Sequence, residues 1–422
     1  MTTDAAAATA FDTPAQPALP ASDRNRILIY LGVLVFIISF GGGGLVAAPL
    51  FFILKNRLHL GATQLSLFLL LAALPGYLAF VPGFVRDLWN PFGLRDRGYM
   101  IVFGGLAAVL YIVFAFVPVS VVSLLLYSIL LGSILQFAVA GQTGLGATIA
   151  RQHVMSGQMS TVMNVVASVA GLLPLAVGGY LSNYLEHQAV NDAARQLFLV
   201  AAAIMGGFAL FAIWRPKVVY DNVRAESGGE FHPLKDLIRL LRHYPVYPAL
   251  GIWILWNFAP GSGTPLQFHL QNTLHASDAQ ATMWNVLFSA GFIPTFLLFG
   301  WLCRKFPLRV LLFWGTVFAV PQMVPLLFVK TVPAALLGAV ASGLMGGVAT
   351  AAYLDLMIRS CPRGLEGTML MASNALYVAI TRAGDVLGGR LYETFHTFTV
   401  CAIAITVVYA LIIPTLWLVP RR

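Results

Sequence analysis

Residues 27–54 read ILIYLGVLVFIISFGGGGLVAAPLFFIL. None of them is charged, and the run exceeds the ~20 residues that cross a hydrocarbon core of roughly 30 Å. Its middle is broken by Gly41, Gly42, Gly43 and Gly44, and further on by Pro49. Eleven more apolar runs follow: Ala62–Val85, Tyr99–Val117, Val119–Ala150, Ser160–Leu185, Leu197–Trp214, Val246–Leu270, Ala281–Cys303, Pro307–Val329, Val332–Ile358, Gly367–Leu391 and Phe395–Val419. Stretches such as Ile101–Val117 and Val121–Ala140 are continuous rather than alternating, which excludes a barrel of short amphipathic strands. The 422 residues are 59% hydrophobic and only 10% charged, where a soluble domain carries about 25% charged residues. A soluble globular fold and a disordered chain are therefore excluded. The expected fold is an all-α polytopic membrane protein with twelve transmembrane helices in two six-helix halves.

The longest polar stretch sets the division. Residues 27–214 form the N-terminal half, 215–245 a cytoplasmic linker and 246–422 the C-terminal half. Within the linker, Pro233–His243 places Leu234, Leu237, Ile238 and Leu241 at i, i+3, i+4 and i+7. Lys235, Asp236, Arg239 and Arg242 fall on the other face, the pattern of a short helix lying on the membrane surface. Residues 1–26 are expected to be a disordered cytoplasmic tail. The first 22 are rich in Ala, Thr and Pro and lack any Lys or Arg, so no signal peptide is read there.

Charge sets the orientation. With both termini cytoplasmic, 19 of the 25 Lys and Arg fall in inner segments. Five fall outside (Lys55, Arg57, Arg195, Lys330 and Arg390), and Arg382 lies within a span. Cytoplasmic loops carry such an excess, so the net charge of +9 needs no nucleic acid. The expected setting is the cell inner (plasma) membrane, as a monomer within the lipid bilayer. Cys303, Cys361 and Cys401 match no metal or redox spacing; free thiols, no metal and no cofactor are expected.

The seventh run is broken like the first, by Pro260, Gly261, Ser262, Gly263 and Pro265. Gly41 and Pro260 each stand 14 residues into their runs. Interrupted helices at matching places in two halves point to a transporter cavity near the midplane. Broken backbone at that depth is tolerated only against protein or water; close packing by small residues is the competing explanation. Twelve spans divided six and six resemble the layout of a major-facilitator transporter.

The loop after the second span runs from Gly83, Phe84, Val85, Arg86 and Asp87 to Gly93, Leu94, Arg95, Asp96, Arg97, Gly98 and Tyr99. Its opening resembles the G-x-x-x-D of the major-facilitator loop. Its longer form resembles the folate–biopterin transporter family at Gly83, Asp87, Gly93, Arg95 and Tyr99. Arg86 stands where that pattern has serine, Pro91 falls one place late, and Asp96 replaces a second arginine. Two later segments are similar to the same family. The first is Pro260–Leu270, matched at Pro260 with Phe268 as an aromatic exchange. The second is the octet Cys361-Pro362-Arg363-Gly364-Leu365-Glu366-Gly367-Thr368. The resemblance implies a transporter of folates, pterins or other small metabolites.

Candidate functional residues divide by depth. Asp87, Arg95 and Arg97 lie at the cytoplasmic ends of adjacent helices, where a carboxylate can accept from helix N-terminal N–H groups and pair with Arg. Glu366, with Arg363, is a candidate gating partner across the halves. Simple positive-inside anchoring accounts for Arg95 and Arg97 but not Asp87. Arg382 is 15 residues into the eleventh span, or roughly 22 Å along the helix. Asp385 stands one turn on, where the two can pair. A charge at that depth costs at least ~2.5–3.5 kcal/mol and normally faces the bundle interior. Either Arg382 binds an anionic substrate group with Asp385 tuning it, or the two neutralise each other as a structural pair. Asn257, Trp256, Gln267, Asn164 and Gln142 are further cavity candidates.

The expected function is a secondary active transporter of a small anionic metabolite, with a proton or cation as candidate coupling partner. A sugar–cation symporter or cell-wall-fragment permease is the alternative. No P-loop occurs, so ATP-driven pumping is unsupported. An embedded transferase would need an acid–histidine cluster at the membrane surface. His187 with Asp192 and His232 with Asp236 lack companions and lie on opposite sides, so no enzyme is expected.

Overall fold

The computed structural model describes residues 20–79, 81–82, 85–86, 89, 91–152, 156–220, 243–244, 246–303, 305–360 and 366–419. Asp87, Cys361–Leu365 and all of the expected linker helix but His243 lie outside the described residues, as do the side chains of Asn164 and Glu366.

Every regular element among the described residues is helical. In chain order the passes are α1 (Ala21–Arg57), α2 (Ala62–Ala72, continued by Leu74–Tyr77), α3 (Asp96–Ala115), α4 (Val121–Gln152), α5 (Ser156–Leu185) and α6 (Val190–Ile213). The second set is α7a (Val246–Asn257) with α7b (Thr264–Asn272), α8 (Asp278–Leu302), α9 (Leu308–Ala319, followed by Val324–Phe328), α10 (Val332–Ser360), α11 (Glu366–Phe395) and α12 (Phe398–Ala410, continued by Ile412–Thr415). Among the described residues, 8 helices are long and apolar enough to cross a membrane unaided. The passes that need the bundle have visible reasons. Ala73 breaks α2 ahead of Pro75, α7 is split, α11 carries Arg382 and Asp385, and the first half of α5 is polar.

Each half has its own core. Leu31, Leu34, Tyr111, Tyr127, Phe198 and Phe208 pack together in the first, and Trp256, Trp284, Tyr353, Cys401 and Tyr409 in the second. Helices α3 and α6 pack on each other, as do α8 and α10. The α8–α10 crossing is close because Gly291 meets Gly343: a Cβ on Gly343 would stand 3.0 Å from Gly291 Cα. Lipid supplies no hydrophobic drive between helices, so such small-residue contacts do. The halves meet along two seams, α5 against α8 and α2 against α11.

The halves are related by a shift of 216 residues, from Pro49 to Pro265. Leu58-His59-Leu60-Gly61 with Gln64 recurs as Leu274-His275-Ala276-Ser277 with Gln280. His59 and His275 take left-handed φ values of 53° and 56°, ending α1 and α7b. The Leu60 N–H then returns to Leu54 O at 3.1 Å and the Ala276 N–H to Leu270 O at 2.9 Å, satisfying last-turn carbonyls. The following helices open alike. Gln64 accepts from Gly61 N at 3.3 Å and Gln280 from Ser277 N at 3.0 Å.

Candidate functional site

Two helix breaks and one charged helix build the middle of the molecule. In α1, Gly42 (ψ 25°) and Gly43 (φ 124°) leave helical geometry. The buried Tyr111 hydroxyl donates to the carbonyl of buried Gly41 at 2.8 Å. A Cβ on Gly43 would meet nothing within 4 Å, so this break borders open space. In α7 the chain leaves the helix after Asn257 and restarts at Thr264, with Gly261 at φ 113°. Its inner side packs on α11: a Cβ on Gly384 would stand 3.2 Å from Ala259 N. Close packing by small residues therefore applies at both breaks, since a Cβ on Gly41 would stand 2.6 Å from Ile204 Cγ2 and one on Gly44 3.0 Å from Pro174 Cγ, while Gly43 alone of the four borders open space.

The restart of α7b is held by Asp385. Oδ1 accepts from Thr264 N at 2.7 Å, and Oδ2 accepts from the Thr264 hydroxyl at 2.7 Å. Asp385 is 5% exposed. Its charge faces a helix N-terminus, where backbone donors and the helix dipole favour an anion. Among the described residues Arg382 forms no ion pair with it; the guanidinium acts on Asp385 through space. Half-buried Arg382 also faces Tyr77 of α2, which puts it on the seam between the halves.

The other candidates surround this core unequally. Asn257 sits at the lip of the α7 break, its amide donating to Trp253 O at 2.8 Å. Trp256 is turned into the second core, stacked on Tyr409 with ring centroids 4.6 Å apart. Gln267 lies one turn beyond Thr264 and donates from Nε2 to Ala281 O at 3.3 Å. Its Oε1 and the Nε1 of Trp284, one turn along α8 from Ala281, are both buried without a partner among the described residues. Each such group costs about 1–3 kcal/mol. Gln142 is buried on α4, and Asn164 belongs to α5. The structure thus brings Asn257, Gln267, Asp385 and Arg382 around one helix break.

In the loop ahead of α3, Asp87 lies outside the described residues, and the Asp87–Arg95 pairing is not among the described contacts. The loop's described ion pair joins Arg86 Nε to Asp96 Oδ1. The Tyr99 hydroxyl lies 2.9 Å from Val85 O and 2.8 Å from Trp89 O, tying the loop down. Arg97 donates to the last carbonyls of α6, Ala212 O at 3.0 Å and Ile213 O. That is a C-terminal cap within its own half. Arg95 is exposed at the mouth of α3, and Glu366 opens α11.

Sequence reasoning missed the end of the bundle away from the chain termini. All six hydrogen bonds between the halves among the described residues lie there. Lys55 of α1 donates to Gln271 Oε1, and to Asn272 Oδ1 at 3.2 Å. Its amine stands 4.6 Å over the Phe268 ring. Asp278 accepts from Asn56 at 3.3 Å and from Ser182 at 2.6 Å. The remaining two are Thr63 N to Glu393 Oε1 at 3.0 Å and Ala279 N to Asn183 Oδ1 at 3.1 Å. A polar hollow of about 270 Å³ opens beside Lys55, Asn56, Glu186, Gln271 and Asp278. The signal was present in the 216-residue repeat, which pairs position 55 with 271.

The bundle of two six-helix halves and a split seventh helix define a membrane transporter fold. The Major Facilitator Superfamily profile matches residues 33–384, and the chain belongs to that superfamily. No curated protein matches it by sequence. Among solved structures it resembles a mutant form of the nucleoside transporter NupG with a TM-score of 0.71 at 11% identity, covering 94% of this chain and 100% of that one. A transporter of the POT family in complex with 5-aminolevulinic acid superposes at 0.67 and 12% identity, covering 93% and 95%. A bacterial homologue of the human lysosomal transporter Spinster, inward-facing and occupied, superposes at 0.60 and 15%, covering 95% of each chain. At these identities the likeness shows the fold.

Proposed function

We propose that this major-facilitator protein is a secondary active transporter that moves a small anionic metabolite, of folate or pterin type, by alternating access. The observation that carries the reading is the division of labour on α11. Asp385 spends both oxygens on Thr264, so Arg382, one turn away at the seam, keeps its planar fork for a carboxylate. Asn257, Gln267, Gln142 and Asn164 supply neutral contacts around it. The unsatisfied Gln267 oxygen and Trp284 N–H offer an acceptor and a donor to a polar heterocycle. Trp256 and Asp385 build the wall. Solved relatives of this fold include a nucleoside transporter and one holding 5-aminolevulinic acid, which supports polar small molecules as a class.

In this reading both termini face the cytoplasm across the inner membrane, and the monomer works alone. The six-bond end is then external and closed. Asp87, Arg95, Arg97 and Glu366 would close the cytoplasmic end in the opposite state, and a proton is the proposed coupling ion. Equilibrium binding of folic acid and of its neutral pteridine fragment to purified protein tests the substrate class. Folic acid is expected to bind, and Arg382→Lys to weaken it more than about tenfold, the loss of one charge-assisted bond, with the melting temperature unchanged. Equal binding of both compounds, or no effect of Arg382→Lys, would refute the anion role.

A further inference from the structure

The two seams end in the same device at the far end of the bundle. Helices α2 and α8 both begin there, and each has its second backbone N–H taken by a side chain of the opposite half. For α2 the donor is Thr63 N and the acceptor Glu393 of α11, at 3.0 Å. For α8 the donor is Ala279 N and the acceptor Asn183 of α5, at 3.1 Å. Thr63 and Ala279 are separated by the same 216-residue shift that relates the halves. These N–H groups have no partner within their own helix, so the opposite half completes each helix end only while the two halves touch.

We propose that these paired caps are the external lock of the transporter, and that Glu393 makes it sensitive to acid on that face. The geometry is nearly two-fold but the chemistry is not. Asn183 is an amide at every pH, whereas Glu393 is an exposed carboxylate that loses its charge on protonation. A charged acceptor makes a hydrogen bond roughly twice as strong as a neutral one. Protonating Glu393 therefore weakens the α2 lock and leaves the α8 lock as it was, and acid outside favours the outward-open state. The charged or titratable groups nearest Glu393 are Arg390 one turn back on α11, His396 at the end of that helix and His59 in the α1–α2 turn. Lys55, Arg57, Glu186 and Asp278 belong to the α1, α5, α7b and α8 side. There Lys55 is held by Gln271 and Asn272, and Asp278 by Ser182, Asn56 and Gln271. All of these are common to the wild type and the variants below.

The lock rests on the alternating-access reading, and one experiment separates the two. Spin labels are placed at Asp192→Cys and Lys330→Cys, exposed positions at the far end of each half. Cys303 and Cys361 are changed to Ser, and distances are measured in nanodiscs from pH 8 to pH 4. The long-distance population should grow as pH falls. Glu393→Gln should open the pH 8 state about five- to tenfold and reduce the pH response to the part carried by the Asp278 bonds to Asn56 and Ser182, since a neutral bond replaces the charged one at Thr63. Asn183→Asp should do the reverse, tightening closure at pH 8 by a similar factor and adding a second acid-sensitive lock. Thr63→Pro deletes the donor at a first-turn position that tolerates Pro and should also abolish the Glu393 response. Retention of the wild-type pH response in Glu393→Gln or Thr63→Pro overturns the lock while leaving alternating access intact. A far end that never opens overturns both.

Discussion

Replacing Arg382 and Asp385 singly and together separates two physical roles for the charges of α11. Asp385 is 5% exposed and holds Thr264 through two bonds of 2.7 Å. Asp385→Ala leaves the Thr264 N–H and hydroxyl without an acceptor. At about 1–3 kcal/mol for each buried orphan, the loss is about 2–6 kcal/mol. Asp385→Asn keeps one neutral acceptor and should cost about 1–3 kcal/mol on the same scale. Arg382→Gln removes a half-buried charge that makes no described hydrogen bond, so about 1 kcal/mol or less is expected. The Arg382→Gln/Asp385→Asn double variant should then depart from the sum of the singles by no more than about 1 kcal/mol, the through-space attraction of the two charges. The assay is reversible unfolding in mixed micelles, read as a double-mutant cycle. Were the two side chains a neutralising pair, each single change would cost about 3–5 kcal/mol and the double would recover most of it. A coupling of about 2 kcal/mol or more, with recovery in the double, would refute the capping role of Asp385.

Other outcomes follow from single contacts. Tyr111→Phe removes the buried bond to Gly41 O and should cost about 1–2 kcal/mol in the same unfolding assay. Gly261→Ala places a Cβ at φ 113° against Cys401 and should cost at least about 1–2 kcal/mol, lowering folded yield before it touches binding. Trp256→Ala opens the stack with Tyr409 and should lose about 3–5 kcal/mol of stability, a core effect visible by thermal melting without ligand. Arg97→Gln removes the cap on α6 and should cost about 0.5–1 kcal/mol, with the sharpest loss of hydrogen-exchange protection near Ile213.

The apolar runs and the 14-residue position of each break made the class of fold legible, because membrane burial writes itself into local composition. What stayed hidden needed neighbours from far along the chain. The i, i+3 rule offered Arg382 as the partner of Asp385, and a helix N-terminus 121 residues away competed better. A backbone N–H at a broken helix has nowhere else to go. Lys55 and Arg57 read as two of five basic residues in outer segments, since nothing local says that Lys55 meets Gln271 across a pseudo-two-fold seam. Asp96 looked like a departure from a family pattern, yet it is the residue that pairs with Arg86. Trp256 carried the composition of a cavity aromatic and the packing of a core one, and its contacts with Tyr353 and Tyr409 distinguish them.

Counterflow of radiolabelled folic acid into proteoliposomes loaded with unlabelled folic acid joins the fold, the seam and Arg382 in one readout. Wild type should accumulate label well above empty vesicles, with stimulation on external acidification. Arg382→Gln, shown by melting to be folded, should fall to the level of empty vesicles. Counterflow by Arg382→Gln equal to that of the wild type would contradict the proposed anion site.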